Sequence, residues 1–175
     1  MLQPKADWYW YCDGQHLMLS LGQNLQFKTA YLPNRLINTP INKQWFNLED
    51  TGHYSNLAEQ LEACPLNLSS AELTQILING VAALAFHKPV TLRSWYFTEQ
   101  THFGSNHQLA SLENDIGKGE VLILEQDHNV ATCMVISKSL SLHSDKQLNQ
   151  FELIKVMKNR LIPFVSHSIL LSQSA

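Results

Sequence analysis

The first thirty-one residues hold an aromatic run, Trp8–Tyr11, followed by two runs, His16–Leu21 and Leu25–Tyr31, whose apolar positions recur with a period of two. In Asp7–Cys12, Trp8 and Trp10 fall on one side of an extended chain, and Tyr9 and Tyr11 on the other. Leu17, Leu19 and Leu21 share a face in the next run, and Leu25–Tyr31 alternates again. Asp13-Gly14 is a two-residue hairpin signal between the first two runs, and Gly22-Gln23-Asn24 turns the chain into the third. The pattern predicts a meander of three antiparallel strands with one apolar face. The tryptophans read as its core. The tyrosines stay open between a half-exposed sheet face and a contact groove.

The period then fades. Pro33–Asp50 reads as loop or irregular edge, with Trp45 and Phe46 as anchor candidates, and Asn56–Ala63 as a short helix with Leu57 and Leu61 one turn apart. Ser69 followed by Glu72 is a capping box, and the helix it opens runs from Leu73 to about His87. Its apolar residues cover most of the circumference, so it is expected to be buried on more than one side. Pro89 stops it. Trp95-Tyr96-Phe97 then predicts a strand, with Trp95 and Phe97 turned inward on one face.

A polar stretch to Glu120 reads as a long loop holding a short strand or two. Val121–Glu125, Val130–Ile136 and Ser139–His143 read as strands, the first two joined by a turn at Asp127-His128-Asn129. Ser144-x-x-Gln147 is expected to open a last helix carrying Leu148, Phe151, Ile154, Val156, Met157 and Leu161, stopped by Pro163. Phe164–Leu171 is a candidate closing strand. Strands, helices, strands, helix, strand is not the regular alternation of a parallel doubly wound sheet. The order predicts an α+β protein whose C-terminal half is mainly antiparallel.

Composition narrows the function classes. The 175 residues are 45% hydrophobic with a formal charge of −3. A chain of this length buries roughly 70% of its unfolded surface, enough for a core without staples. The absence of a basic excess argues against nucleic acid as partner. Cys12, Cys64 and Cys133 are too scattered for a disulfide framework. No basic-then-apolar leader stands at Met1–Lys5, and the apolar run Ile76–Phe86 is too short to span a bilayer. The expectation is a soluble cytoplasmic protein without membrane insertion.

Catalytic chemistry finds no legible constellation. Gly117-Lys118-Gly119 lacks the frame of a phosphate loop and reads as a solvated turn. None of the eight histidines stands at zinc-helix spacing, and His102 and His107, the closest pair, lie in polar sequence. No Gly-x-Ser-x-Gly elbow is present, and Cys133 sits mid-strand as an inert core thiol. No metal, cofactor or catalytic residue is assigned. What remains is Lys88-Pro89 through Arg93-Ser94-Trp95-Tyr96-Phe97, two cations bracketing an apolar linker before three aromatics. Lys88 and Arg93 read equally well as a solvated helix end and strand start, or as a basic edge that steers an acidic partner.

Trp8-Tyr9-Trp10-Tyr11 with Asp13, Met18-Leu19-Ser20-Leu21, Leu25-Gln26-Phe27, Asn67-Leu68-Ser69, Lys88-Pro89 with Arg93–Phe97, and Ile154–Met157 with Asn159-Arg160-Leu161 occur in one order along nearly the whole chain. In this ordered set the chain resembles the ZapC family of bacterial cell-division proteins, which associate with the FtsZ ring. The resemblance implies an N-terminal α/β domain, 1–94, and a C-terminal twisted β-barrel-like domain, 95–175, with no catalysis. It implies direct binding to the acidic FtsZ polymer at the mid-cell division ring, lateral bundling of protofilaments and slower GTP hydrolysis. It implies partner-binding roles for Lys88, Arg93 and Leu19. Lys88 matches a family lysine before the same proline. Arg93 stands where a lysine is familiar. The chain is expected to be a monomer with more than one contact surface, there being no heptad run to pair it. The alternative is a small-ligand-binding protein or enzyme using an apolar pocket in the C-terminal half.

Overall fold

The computed structural model describes residues 1–64, 66–101 and 108–164. It is an α+β chain that divides into two compact units. One comprises Met1–Glu59 with Asn67–Pro89, the other Gln60–Leu66 with the described part of Val90–Ala175.

The first unit holds the expected meander. β1 (Tyr9–Cys12), β2 (Leu17–Ser20) and β3 (Gln26–Lys28) pair antiparallel in succession, and β4 (Gln44–Trp45) adds to the free side of β1, giving the order β3-β2-β1-β4. The turn between β1 and β2 places Gly14 at φ 93°, a region that favours glycine. The Asp13 carboxylate closes this turn by accepting from Gln15 N at 2.8 Å and His16 N at 2.7 Å. Alternation along β1 sends Trp8 and Trp10 inward, where both are fully buried. Phe46 lies edge-on to Trp8 at 5.4 Å and tilted to Trp10 at 5.7 Å, and Phe86 lies edge-on to Trp10 at 5.5 Å.

Two helices complete the unit's elements: α1 (Leu48–Glu62), which belongs to it as far as Glu59, and α2 (Ser70–Phe86). The capping box of α2 forms as read. Ser69 Oγ accepts from Glu72 N at 3.2 Å, and Glu72 Oε2 accepts from Ser69 N at 2.8 Å. Ile76 through Ala83 are all buried, as expected of a helix apolar nearly all round. The polar exception is Asn79, whose Oδ1 accepts from Ala30 N at 2.8 Å and so ties the chain after β3 to the helix.

α1 begins well before the expected Asn56. Asn47 Oδ1 accepts from Asp50 N at 2.9 Å, and Asp50 Oδ2 accepts from Asn47 N at 3.1 Å, a reciprocal cap. The same Asp50 oxygen accepts from the Trp10 indole N–H at 3.1 Å, so the start of α1 is bonded to the middle of β1.

The second unit is built on an antiparallel sheet. β5 (Leu109–Glu113), β6 (Lys118–Gln126), β7 (Val130–Val135), β10 (Leu153–Met157) and β11 (Ile162–Pro163) take the order β10-β7-β6-β5-β11. Among the described residues this sheet stays open, with β10 and β11 as its edges. A separate hairpin, β8 (Ser139–His143) and β9 (Lys146–Asn149), places Leu140, Leu142 and Leu148 in one core with Leu112, Ile123 and Val156. Gly119 permits the approach of β8. A Cβ there would stand 2.9 Å from Leu140 Cδ1.

The last helix expected from Ser144 does not form. Ser144–Leu161 is instead the end of the β8–β9 hairpin, a turn, β10 and a 3₁₀ turn at Lys158–Arg160. Phe151 at φ 70° interrupts any helix, and the β-branched pair Ile154 and Val156 alternates inward with a period of two. Trp95-Tyr96-Phe97 is not a strand either. Ser94–Tyr96 is a 3₁₀ turn closed by Phe97 N donating to Ser94 O at 3.1 Å. Phe97 is buried as expected, but Trp95 is 70% exposed. The proposed closing strand from Phe164 falls almost wholly outside the described residues.

Desolvation raises the Asp50 carboxyl above its ordinary value, against the hydrogen bonds from Asn47 and Trp10 that favour the anion. An acid raised by folding stabilises the fold below its unfolded pKa and loses that contribution as pH rises through its folded value. In Asp50→Asn an amide oxygen can keep both acceptor roles without the buried charge. The urea midpoint of this variant should therefore gain on the wild type as pH rises from about 4 towards neutrality. A wild-type advantage that grows over the same interval would contradict the account.

Candidate partner-binding edge

Pro89 ends the chain's helical course, and Val90–Tyr96 runs as a strap along the outer edge of β10. Leu92 bridges Lys155 in parallel, and Arg93 N donates to Lys155 O at 2.8 Å. Ser94, buried, anchors the strap: its Oγ accepts from Met157 N at 2.7 Å. The 3₁₀ turn that follows throws Trp95 outward and Phe97 inward. Phe97 enters the core, with Tyr96 packed against it. The Trp95 and Tyr96 rings lie 5.5 Å apart.

The strap therefore presents a mixed apolar and cationic surface. Leu92, Trp95 and Met157 are exposed, and Arg93 is half-buried among them. Arg93 forms no ion pair among the described residues. Lys146, from β9, donates to Tyr96 Oη at 3.2 Å and lies 5.5 Å from the ring centroid. That hydrogen bond, more than the opposing desolvation, holds the Tyr96 phenol below its ordinary pKa, and Arg93 adds to it. Arg160 is otherwise engaged, paired with Glu99 at 3.1 Å. Exposed aromatic and Arg side chains grouped on a rigid edge are the composition of interface anchors.

The sequence-derived residues fall in different places. Arg93 lies on this edge. Lys88 lies on the first unit, one residue past the C-cap of α2, with its ammonium exposed and donating to Asn34 O at 2.9 Å. Its backbone N donates to Arg35 O at 2.9 Å, so the residue is held at both ends. Beside it His87 is half-buried against Tyr31, and burial lowers its pKa. Leu19 has no exposed surface: it sits in β2 opposite Trp10 and Phe27. Sequence reasoning missed Lys146 and Met157, which reach the edge from elements distant in the chain. Their only local signal was strand alternation.

The thiol of Cys133 is fully buried, which pushes its pKa up to about 12, the inert state expected of it. Asn114–Gly117 is a turn closed by Asn114 Oδ1 accepting from Ile116 N and Gly117 N, and Lys118 and Gly119 start β6. His102 and His107 lie outside the described residues. Among those described, no three His, Cys, Asp or Glu side chains gather to hold a metal ion, and no helix is long and apolar enough to cross a membrane. An open recess of about 440 Å³ beside β10 is lined by Glu125, Gln126, Asp127, Val130, Thr132 and Lys155. That lining is polar, unlike the apolar pocket a small-ligand reading expects.

Comparison with known proteins covers the chain end to end. The N-terminal family model of the cell-division protein ZapC matches residues 1–88, and its C-terminal model matches residues 89–167. A Pseudoalteromonas atlantica protein named cell division protein ZapC is 46% identical over 167 residues, 93% of this chain and 94% of that relative. The protein of that name from Aliivibrio salmonicida is 33% identical over 166 residues, 92% of each chain. The Tolumonas auensis protein is 29% identical over 180 residues, 100% of this chain and 99% of its own.

Ser94→Ala removes the acceptor that pins Met157 N. A neutral hydrogen bond of this kind contributes about 1 kcal/mol, so the melting temperature should fall by only a few degrees. Amide exchange at Arg93 and Met157 should accelerate well beyond that at core positions of β6. Unchanged protection at both amides would remove the hydroxyl as the anchor.

Proposed function

The chain belongs to the ZapC family of cell-division proteins, and on that footing we propose that it binds the FtsZ polymer directly, without catalysis, and bundles its protofilaments. Bundling stabilises the division ring at mid-cell and slows GTP hydrolysis by the polymer. The protein acts from the cytoplasm and inserts in no membrane. The observation that carries this reading is family membership over both halves of the chain, joined to the exposed Trp95–Arg93 edge.

The physical chemistry suits an acidic filament. The chain as a whole carries −3, so long-range attraction to any polyanion is weak. Arg93 and Lys146 beside exposed aromatics provide a local cationic patch that orients an acidic partner. The apolar surface of Leu92, Trp95 and Met157 then supplies contact area that charge alone does not. Lys88 offers a further cation on the first unit, already held by Asn34 and Arg35. Leu19 contributes from inside, by fixing the strand that it fills. Each contact can be weak, because a polymer lattice multiplies weak sites into avidity.

Two measurements test the reading. Wild-type protein should co-sediment with GTP-assembled FtsZ at low salt and raise its light scattering. Failure to co-sediment would end the proposal. Arg93→Glu should weaken binding by about tenfold, a loss of about 1.4 kcal/mol, and Lys88→Asp should weaken it in the same direction. Both variants should melt within a few degrees of the wild type, since Lys88 is exposed with a single hydrogen bond and Arg93 is only half-buried. A variant that binds as tightly as the wild type takes its residue out of the contact.

A further inference from the structure

The corner that carries Lys88 also carries a histidine that neither the core nor the proposed contact uses. α2 does not end in solvent. His87 N, at its C-cap, donates to Ala83 O at 3.0 Å. Past that bond the chain pairs back on the segment that follows the 3₁₀ turn Pro33–Arg35. Ile37 N donates to Phe86 O at 2.7 Å, Lys88 N donates to Arg35 O at 2.9 Å, and Leu36 and His87 form an antiparallel bridge. His87 is therefore the middle residue of a backbone corner that ties Arg35–Ile37 to the end of α2. Its ring closes the corner from the side, edge-on to the buried Tyr31 ring at 5.2 Å. His87 Nδ1 lies 2.6 Å from Lys88 O. A carbonyl only accepts, so Nδ1 carries the hydrogen and Nε2 is left as the nitrogen that takes a proton.

The surroundings oppose that proton. Arg35, from the 3₁₀ turn, acts on the ring with like charge, and Lys88 adjoins it in the chain. Tyr31, from the chain after β3, is kept a neutral phenol by its burial. The last two turns of α2, Gly80–Phe86, hold no charged residue. No carboxylate among the described residues pairs with His87, whereas His53 and His143 stand 3.8 and 3.1 Å from the carboxylates of Glu49 and Asp145. Desolvation is the largest influence on the His87 ring and lowers its pKa, against the bond to Lys88 O, which favours the imidazolium, as does the carbonyl end of α2.

We propose that His87 is a pH-operated latch on this corner. The neutral ring sits on Tyr31 and holds Lys88 O. A proton taken from water at Nε2 turns the ring out into solvent, which breaks the bond to Lys88 O and loosens the pairing of Arg35–Ile37 with Phe86–Lys88. A base whose folded pKa lies below its unfolded value contributes stability that is full above the unfolded pKa and is lost as pH falls towards the folded one. The latch lies within the first unit and needs no partner. Where Lys88 acts in the contact proposed above, the latch makes its presentation acid-sensitive.

The test uses the full chain alone. Amide protection at Ile37, His87 and Lys88 is measured by NMR at about pH 7.5 and about pH 5.5, either side of the ordinary histidine pKa, with core amides of β6 as the reference. One pH unit below an unfolded pKa of about 6.5, linkage to a ring that is neutral only when closed opens the corner by at most about elevenfold. Protection of these amides should therefore fall by about three- to tenfold relative to β6. His87→Gln keeps a side-chain N–H for Lys88 O but cannot titrate, and its protection should be equal at both pH values. Unchanged protection in the wild type would overturn the latch, and so would the same pH dependence in His87→Gln. If His87→Gln does not fold, the wild-type imidazole decides. Its resonances should titrate below about pH 6.5 together with those of the Tyr31 ring, and titration at or above that value overturns the latch. No FtsZ enters the measurement, so a failed latch and a failed function reading are told apart.

Discussion

One hydrogen bond sets the phase of the first unit. The Trp10 indole N–H donates to the buried Asp50 carboxylate, which also caps α1 through Asn47. An indole N–H buried without an acceptor costs on the order of 1–3 kcal/mol. Shifting β1 by one residue would turn both tryptophans to solvent and leave Asp50 without its donor. Because side chains alternate strictly along a strand, the bond that holds Trp10 inward also holds Tyr9 and Tyr11 outward. Core and outer face are thus one decision, and the composition of the outer face follows from the anchoring of the inner one.

The second unit solves a different problem. Its surface edge is set not by a regular element but by a strap fastened to one. Leu92 and Arg93 use backbone pairing with Lys155, and Ser94 uses its hydroxyl. The 3₁₀ turn then reverses the facing of two neighbouring aromatics, so that Phe97 adds to the core and Trp95 does not. A strand at this place would have turned Trp95 and Phe97 to the same side. The exposed tryptophan is therefore a product of the turn, and the turn is a product of the anchoring serine.

Where the determinants were local, they could be read from the sequence. The capping box of Ser69 and Glu72 and the meander of β1 to β3 lie within a few residues and formed as read, while the hairpin signalled at Asp13-Gly14 formed one residue on, with Asp13 N donating to His16 O across Gly14 and Gln15. The reciprocal cap of Asn47 and Asp50 was equally local, but Gly52 and a polar first turn hid the helix behind it. Ser144-x-x-Gln147 imitated a cap, and Ile154, Met157 and Leu161 satisfy a helical period while Ile154 and Val156 satisfy a strand period. Only pairing with β7 decides between them. The candidate edge was half legible. Arg93 and its aromatics stand together in the chain, but the hydroxyl that orients them bonds an amide 63 residues away. Lys146 meets Tyr96 across a separation that leaves no trace in spacing.

The strap over β10 has one more consequence. An edge strand with free N–H and C=O groups is a template for a foreign strand. A protein proposed to gather on a filament is brought to high local density, where such templating is most hazardous. By accepting Arg93 N at Lys155 O and giving Met157 N to a serine, β10 spends part of its outward pairing capacity within its own chain. The segment that displays Trp95 and Arg93 to a partner also blunts the edge behind them. Sticky side chains can then be shown to solvent with less of the sticky backbone that would make neighbouring copies clump.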